Sequence, residues 1–347
     1  MNAMNTPTPS APLLQVQDLK KHFPTGRDFF GRPRQWVRAV EGVSFDVHRG
    51  RTLGIVGESG CGKSTTARLL MHLIEPDEGR IRIRGQAFGN GVGRHPLTAL
   101  RKHMQMVFQD SYASLNPRLT IEDSIAFGPQ IHGIAPNAAR ALARDLLDRV
   151  GLKPDVFIRR YPHELSGGQR QRVNIARALA IRPEIVILDE AVSALDKSVQ
   201  AQVLNLLAEL KREFDLTYLF ISHDLNVVQY VSDEVMVMYL GQVVESGPVA
   251  ELYARPLHPY TRALLDSVPA QTPGERRQHA VLEGDPPNPI APPAGCRFHP
   301  RCPHAEPVCA QQVPALRRVT GQQVAACHRL QPDSGYSRVI TLEELPA

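Results

Sequence analysis

Nothing in this sequence approaches the roughly 18 consecutive apolar residues that a membrane-spanning helix needs, so the chain is not expected to build its own passage through a bilayer. The opening stretch, MNAMNTPTPSAPLL, has no basic segment leading into an apolar one, and no secretory leader is read there. We expect a disordered polar lead-in over residues 1–12 and a cytoplasmic protein whose thiols stay reduced. Blocks of like charge are missing as well. The net charge of +5 is mild and dispersed, which argues against a nucleic-acid partner. Aromatic residues are scarce, at 6%, but hydrophobic residues make up 42% of the chain and leave ample material for a core. No internal repeat is visible.

What is present begins with β-like segments from Leu13 (LLQVQDLKKHF, AVEGVSFDVHRG, TLGIVG) and a helical pattern in KSTTARLLMHLI. Residues from about 120 to 165 read as mainly helical, and strands return at EIVILDE and TYLFISHD. That order predicts an α/β fold with a parallel-type core interrupted by a helical insertion. Beyond about Pro269 the composition turns rich in proline and cysteine, with little periodicity, and such a segment makes little apolar core by itself.

Between the TLGIVG strand and its helix lies Gly57-Glu58-Ser59-Gly60-Cys61-Gly62-Lys63-Ser64-Thr65. Gly57 and Gly62 with four residues between them, followed by Lys-Ser, match the phosphate loop. Glycines let the backbone curl around an anion with its N–H groups inward, and the following helix adds its positive end. Lys63 is then placed for the outer phosphates and the Ser64 hydroxyl for Mg²⁺. A glycine turn that merely caps a helix is the plainer alternative, but it does not explain Lys-Ser at this spacing.

EIVILDE supplies four apolar residues, then Asp189 and Glu190. A continuous apolar run suits a strand covered on both faces, and its carboxyl end is where open α/β sheets bind ligands. Asp189 is expected to hold the Mg²⁺ water shell and Glu190 to act as general base on an attacking water. Further upstream, Leu165-Ser166-Gly167-Gly168-Gln169 opens a helix with a hydroxyl and two glycine amides. It is a second anion-binding element in a chain whose phosphate loop already serves one nucleotide.

In this order the motifs resemble the ATP-binding subunits of ABC transporters, over roughly residues 13 to 330. The resemblance implies a P-loop nucleotide-binding domain over 13–265, with an antiparallel β edge, a RecA-like core and a helical subdomain near 110–168. Residues 266–347 then form a C-terminal extension. It identifies Gln109 as the Q-loop residue that joins Ser64 at Mg²⁺, Glu190 as the catalytic glutamate, Ser193 to Asp196 as the D-loop and His223 as the switch histidine at the γ-phosphate. It also implies that ATP lies between the phosphate loop of one subunit and the LSGGQ element (Ser166, Gly167, Gly168, Gln169) of another. An aromatic residue is expected on the adenine, Phe23 being better placed than Trp36. Ala191 departs from the family, which usually has proline after the glutamate. Small consequences are expected, since proline there supplies no ligand.

The segment RPLHPYTRALLDSVP, Arg255 to Pro269, resembles a stretch shared by importers of dipeptides and oligopeptides, closest to the F-type ATP-binding subunit of dipeptide permeases. That implies a sister D-type ATP-binding subunit, two transmembrane permease subunits, a substrate-binding protein, and a place on the cytoplasmic face of the inner membrane. Nickel and glutathione importers share the architecture. A soluble ABC ATPase acting on nucleic acid or ribosomes would be the rival class, but one phosphate loop and one short helical insertion do not suit it. Cys296, Cys302, Cys309 and Cys327 lack paired C-x₂-C knuckles. Four thiolates can hold zinc or an iron–sulfur cluster, and the resemblance implies [4Fe–4S]; His299, His304 and His328 keep zinc open as the alternative.

Overall fold

In a computed structural model the described residues are 11–27, 33–89, 93–268, 284–285, 287–341 and 344. Most of the lead-in (residues 1–10) and residues 269–283 of the extension lie outside them.

The chain opens with long strands β1 (Leu14–Arg27) and β2 (Pro33–Val47), then β3 (Thr52–Val56), helix α1 (Lys63–Leu70), β4 (Glu78–Ile83) and β5 (Gln86–Ala87). Next come α2 (Leu97–His103) and β6 (Met104–Val107). The helical insertion supplies α3 (Ile121–Ile131), α4 (Pro136–Arg149), α5 (Pro154–Phe157) and α6 (Gly167–Leu179). Strand and helix then alternate through β7 (Ile185–Asp189), α7 (Lys197–Phe214), β8 (Thr217–Ile221), α8 (Leu225–Val231) and β9 (Glu234–Tyr239). The last elements are β10 (Gln242–Pro248), α9 (Val249–Ala254), α10 (Pro259–Asp266), α11 (Pro307–Gln311), β11 (Arg317–Thr320) and β12 (Gln323–Ala325).

Two sheets result. β2-β1-β4-β5 is antiparallel. The larger sheet runs β11-β12-β10-β9-β3-β8-β7-β6, parallel from β9 to β6 and antiparallel at the other edge. β3, β7 and β8 are buried along their whole length. Their side chains alternate between two cores: Val186, Leu188 and Phe220 pack with the helices of the insertion, while Ile185, Ile187, Leu219 and Ile221 pack with β1, β2 and α1. Covering both faces is why these strands read as unbroken apolar runs rather than alternating ones.

One part of the extension runs differently from its composition. Its short strands β11 and β12 are joined to the main sheet through β10, with Glu245 paired to Ala325 and Ser246 to Val324. The pairing was hidden because these strands show little alternation and meet β10 at only two residue pairs.

Candidate nucleotide site

The loop between β3 and α1 curls because two of its glycines take conformations that side chains resist. Gly57 has φ 149° and Gly62 φ 108°. A Cβ on Gly57 would lie 2.2 Å from the Met238 carbonyl oxygen, and one on Gly62 2.3 Å from that of Ala39. Both obstacles are backbone, so neither can rotate away. Lys63 opens α1 and is buried; its ammonium donates to the carbonyls of Gly57 (2.7 Å) and Glu58 (2.9 Å). These bonds hold the charge across the mouth of the loop.

A cleft of ≈ 450 Å³ lies over this loop, lined by Val37, Ala39, Ser59, Gly60, Gly62, Lys63, Ser64, Thr65, Gln109, Glu190 and His223. The Ser64 hydroxyl donates to Asp189 Oδ1 at 2.8 Å. Burial raises the Asp189 pKa, with the Ser64 hydrogen bond opposing it and the Glu190 charge adding to it. Ser64, the Gln109 amide and Asp189 form a set of hard oxygen donors with a single carboxylate, the kind that suits Mg²⁺ completed by substrate oxygens. Gln109 Nε2 donates to Glu190 Oε2 at 2.9 Å, and His223 Nδ1 lies 3.4 Å from Glu190 Oε1. Glu190 itself has φ 48°, an uncommon left-handed turn for a side-chain-bearing residue. Its N–H is tied to the Ile221 carbonyl at 2.9 Å, which aims the carboxylate over the cleft.

Three residues of the expected cradle do not face this cleft. Gly57 and Cys61 are buried beneath it, with burial pushing the Cys61 thiol up. Glu58 turns away altogether: its N–H donates to the Tyr260 hydroxyl at 2.9 Å and its carboxylate meets Arg301. Phe23 also stands outside the lining, but across the β1–β2 ladder it is opposite Val37, which is part of it. Trp36 is opposite Pro24, one residue out of phase, and 48% exposed. Val37 and Ala39 were missed in the sequence because small apolar residues on an antiparallel edge carry no motif.

Residues 165–169 are likewise not part of this chain's own cleft. Ser166 caps α6, accepting from the Gln169 N–H at 3.3 Å, while the Gln169 side chain accepts from the Ser166 N–H at 3.0 Å. Gly168 packs so closely on Val199 that a Cβ would lie 2.5 Å from its methyl carbon. The first turn of α6 carries no acidic residue, so its positive end is left uncompensated. Asp196 caps α7 in the same manner, and Ala191 is buried in the turn after Glu190.

A family described as ABC transporter matches residues 40–193, and one described as oligopeptide/dipeptide transporter, C-terminal region, matches residues 244–309. The oligopeptide transport ATP-binding protein AppF of Bacillus subtilis (strain 168) is 50% identical over 331 residues, covering 94% of this chain and 99% of the relative. The chain belongs to the ABC transporter ATP-binding proteins. It is an ABC-type ATPase. Di/tripeptide transport ATP-binding protein DppF of Pseudomonas aeruginosa (strain UCBPP-PA14) is 47% identical, covering 91% of this chain and 97% of the relative. Among solved structures, cbiO1 of Clostridium perfringens, part of the ABC transporter complex cbiONQ, superposes with a TM-score of 0.60 at 27% identity. That match covers 70% of this chain and 91% of cbiO1. The ATP-binding cassette MJ0796, a dimer bound to ADP and Pi in a post-hydrolysis state, gives 0.59 at 26% identity, covering 68% and 98%.

For this ABC ATPase the metal expected in the extension finds no support. Cys296, Cys302, Cys309 and Cys327 are drawn into one neighbourhood, where Cys296 feels Cys302 and Cys309, and Cys327 feels Cys296 and Cys302. Burial dominates, pushing Cys296 up to about 11 and Cys327 up to about 12. Burial raises Cys302 as well, and Cys296 and Cys302 pack against the apolar core. His299 and His328 are engaged with the carbonyls of Cys296 and Gln312, and burial lowers the His304 pKa. Among the described residues no three His, Cys, Asp or Glu side chains are placed to hold a metal ion. Neither the [4Fe–4S] cluster nor zinc is supported by this arrangement.

Proposed function

We propose that this ATPase energises the import of dipeptides or oligopeptides through an ABC transporter, with ATP clasped between its phosphate loop and the LSGGQ element of a partner subunit. The observation that carries the reading is the separation just described. One chain bears two anion-binding elements, and Ser166 to Gln169 lie outside the cleft that holds Lys63, Ser64 and Glu190. A second polypeptide must complete each site.

In this mechanism Lys63 leaves the Gly57 and Glu58 carbonyls for the outer phosphates. Mg²⁺, when bound, supplies charge neutralisation at the phosphate oxygens, and Ser64, Gln109 and Asp189 are the residues that would hold it. Glu190 takes the proton from the attacking water while His223 and Gln109 keep its carboxylate oriented. Phe23, on the same face as Val37, would carry the adenine ring. The names of the relatives and the match over residues 244–309 support a peptide cargo. The partners proposed are a D-type sister ATPase, two permease subunits and a substrate-binding protein, with this chain peripheral on the inner face of the membrane. No helix among the described residues is long and apolar enough to cross it. Phe127, Ile131 and Ile134, exposed at the end of α3 and beyond, offer an apolar surface for a permease subunit.

The test is reconstitution with permease subunits and binding protein in proteoliposomes. ATP-dependent uptake of labelled di- and oligopeptides is expected. Uptake of nickel or glutathione instead would change the cargo. Hydrolysis stimulated by DNA or ribosomes, with no membrane association, would overturn the reading.

A further inference from the structure

The C-terminal extension reaches the phosphate loop from behind. Arg301 ends the short helical turn His299–Arg301, and its side chain is only 7% exposed. Its guanidinium grips Glu58 with both nitrogens, Nη1 to Oε2 at 2.9 Å and Nη2 to Oε1 at 3.0 Å, and Nη1 also reaches the Tyr239 hydroxyl at 3.4 Å. Such paired bonds fix direction as well as distance. Beside them stands an aromatic post from three separate segments: Tyr239 of β9, Tyr260 of α10 and Phe298 of the extension, with ring centroids 4.6 to 5.4 Å apart. The post ends in the Tyr260 hydroxyl that accepts the Glu58 N–H.

Arg297 forms a second arm. It donates to the Leu240 carbonyl and lies 3.3 Å from Glu41. The next residue, Gly241, donates its N–H to the Cys61 carbonyl at 2.8 Å. The extension therefore holds the loop directly at Glu58 and, through Leu240 and Gly241, indirectly at Cys61, neither of which faces the cleft.

We propose that Arg301 is a positioning residue for ATP: acting through Glu58, it cancels the carboxylate charge in the loop that must receive a triphosphate, so that ATP affinity depends on the docked extension. The inference rests on the nucleotide-binding reading of the cleft. It has a sign that a purely structural role lacks. Without Arg301, an unpaired carboxylate sits in the loop that must accept a triphosphate, and like charges repel. Without the Glu58 carboxylate the Arg301 charge stays behind the loop, and a cation there does not oppose an anion.

The full-length chain and its Arg301→Gln, Arg301→Lys, Glu58→Gln and Glu58→Gln/Arg301→Gln variants are titrated with a Mg²⁺-loaded non-hydrolysable ATP analogue. Binding by the native chain checks the cleft independently. Arg301→Gln should weaken binding about tenfold or more. Glu58→Gln should lose clearly less affinity than Arg301→Gln, and the double variant should recover most of the Arg301→Gln loss. Arg301→Lys, which keeps the charge, should fall between the two and keeps the test open if Arg301→Gln does not fold. Equal losses in Glu58→Gln and Arg301→Gln with no recovery in the double variant would overturn the proposal, as would unchanged affinity in a folded Arg301→Gln.

Discussion

Replacing Glu190 by glutamine isolates the chemical step, because it removes a charge and keeps a shape. The backbone at Glu190 is held by the sheet through the Ile221 carbonyl, and the turn it occupies is set by packing rather than by its carboxylate. The side chain touches Gln109 and His223; none of its contacts is with Lys63, Ser64 or the glycines of the loop. A glutamine can still accept from Gln109 through its own oxygen. ATP affinity should therefore stay within about threefold of native, since the binding groups are untouched. Hydrolysis loses its proton acceptor, for which general-base catalysis gives a factor of about 10² to 10⁴, or roughly 3 to 5 kcal/mol in the barrier. Single-turnover hydrolysis and analogue binding, measured on the same preparation, separate the two effects. Turnover within tenfold of native would move the base elsewhere. Equal losses of binding and rate would show that Glu190 shapes the cleft rather than acting on water.

Lys63→Ala should remove most ATP affinity while leaving the melting temperature within a few degrees; unchanged nucleotide binding would refute the phosphate-loop assignment. Gly62→Ala forces a methyl to 2.3 Å from the Ala39 carbonyl at φ 108°, so it should cost about 3 kcal/mol or more in stability, read by urea unfolding, and abolish binding. Glu245 gives a pH dependence. It is buried between β10, the start of α10 and the extension, accepting from the Leu257 and His258 N–H groups and from Gln323, and burial raises it from 4.5 to about 7. Between those values the folded chain keeps a proton that the unfolded chain has lost. Its contribution therefore falls as pH rises from about 4.5 to 7, by about 3 kcal/mol, and stays low above. Glu245→Gln should flatten that part of the profile between pH 5 and 8; an unchanged slope would assign the proton elsewhere.

The nucleotide site was legible where a motif has one local solution. The glycine spacing dictates the loop, and a strand end dictates where Asp189 and Glu190 stand. A serine followed three residues later by glutamine dictates the cap of α6. The centre of the main sheet was legible because β3, β7 and β8 are short, apolar and each followed by a helix. Illegible were relations set by distant chain segments. Glu58 belongs to the loop in sequence but faces Arg301, 243 residues on. Nothing in the local pattern of His299–Arg301 marks that contact. β11 and β12 escaped because they lack alternation and gain their pairing from β10. For the four late cysteines the residue type suggested metal, and no ligating arrangement is found among the described residues.

Sharing of each ATP between two polypeptides is decided by heterodimers that carry Ser166→Arg. Paired with Lys63→Ala in the same chain, only the sister subunit's phosphate loop remains, facing the altered LSGGQ element; hydrolysis should fall at least about a hundredfold. Paired instead with the corresponding lysine change in the sister, this chain's own phosphate loop faces an intact LSGGQ element and should keep most of its activity. The reverse pattern, with Ser166→Arg silencing its own chain's loop and sparing the sister's, would contradict the claim.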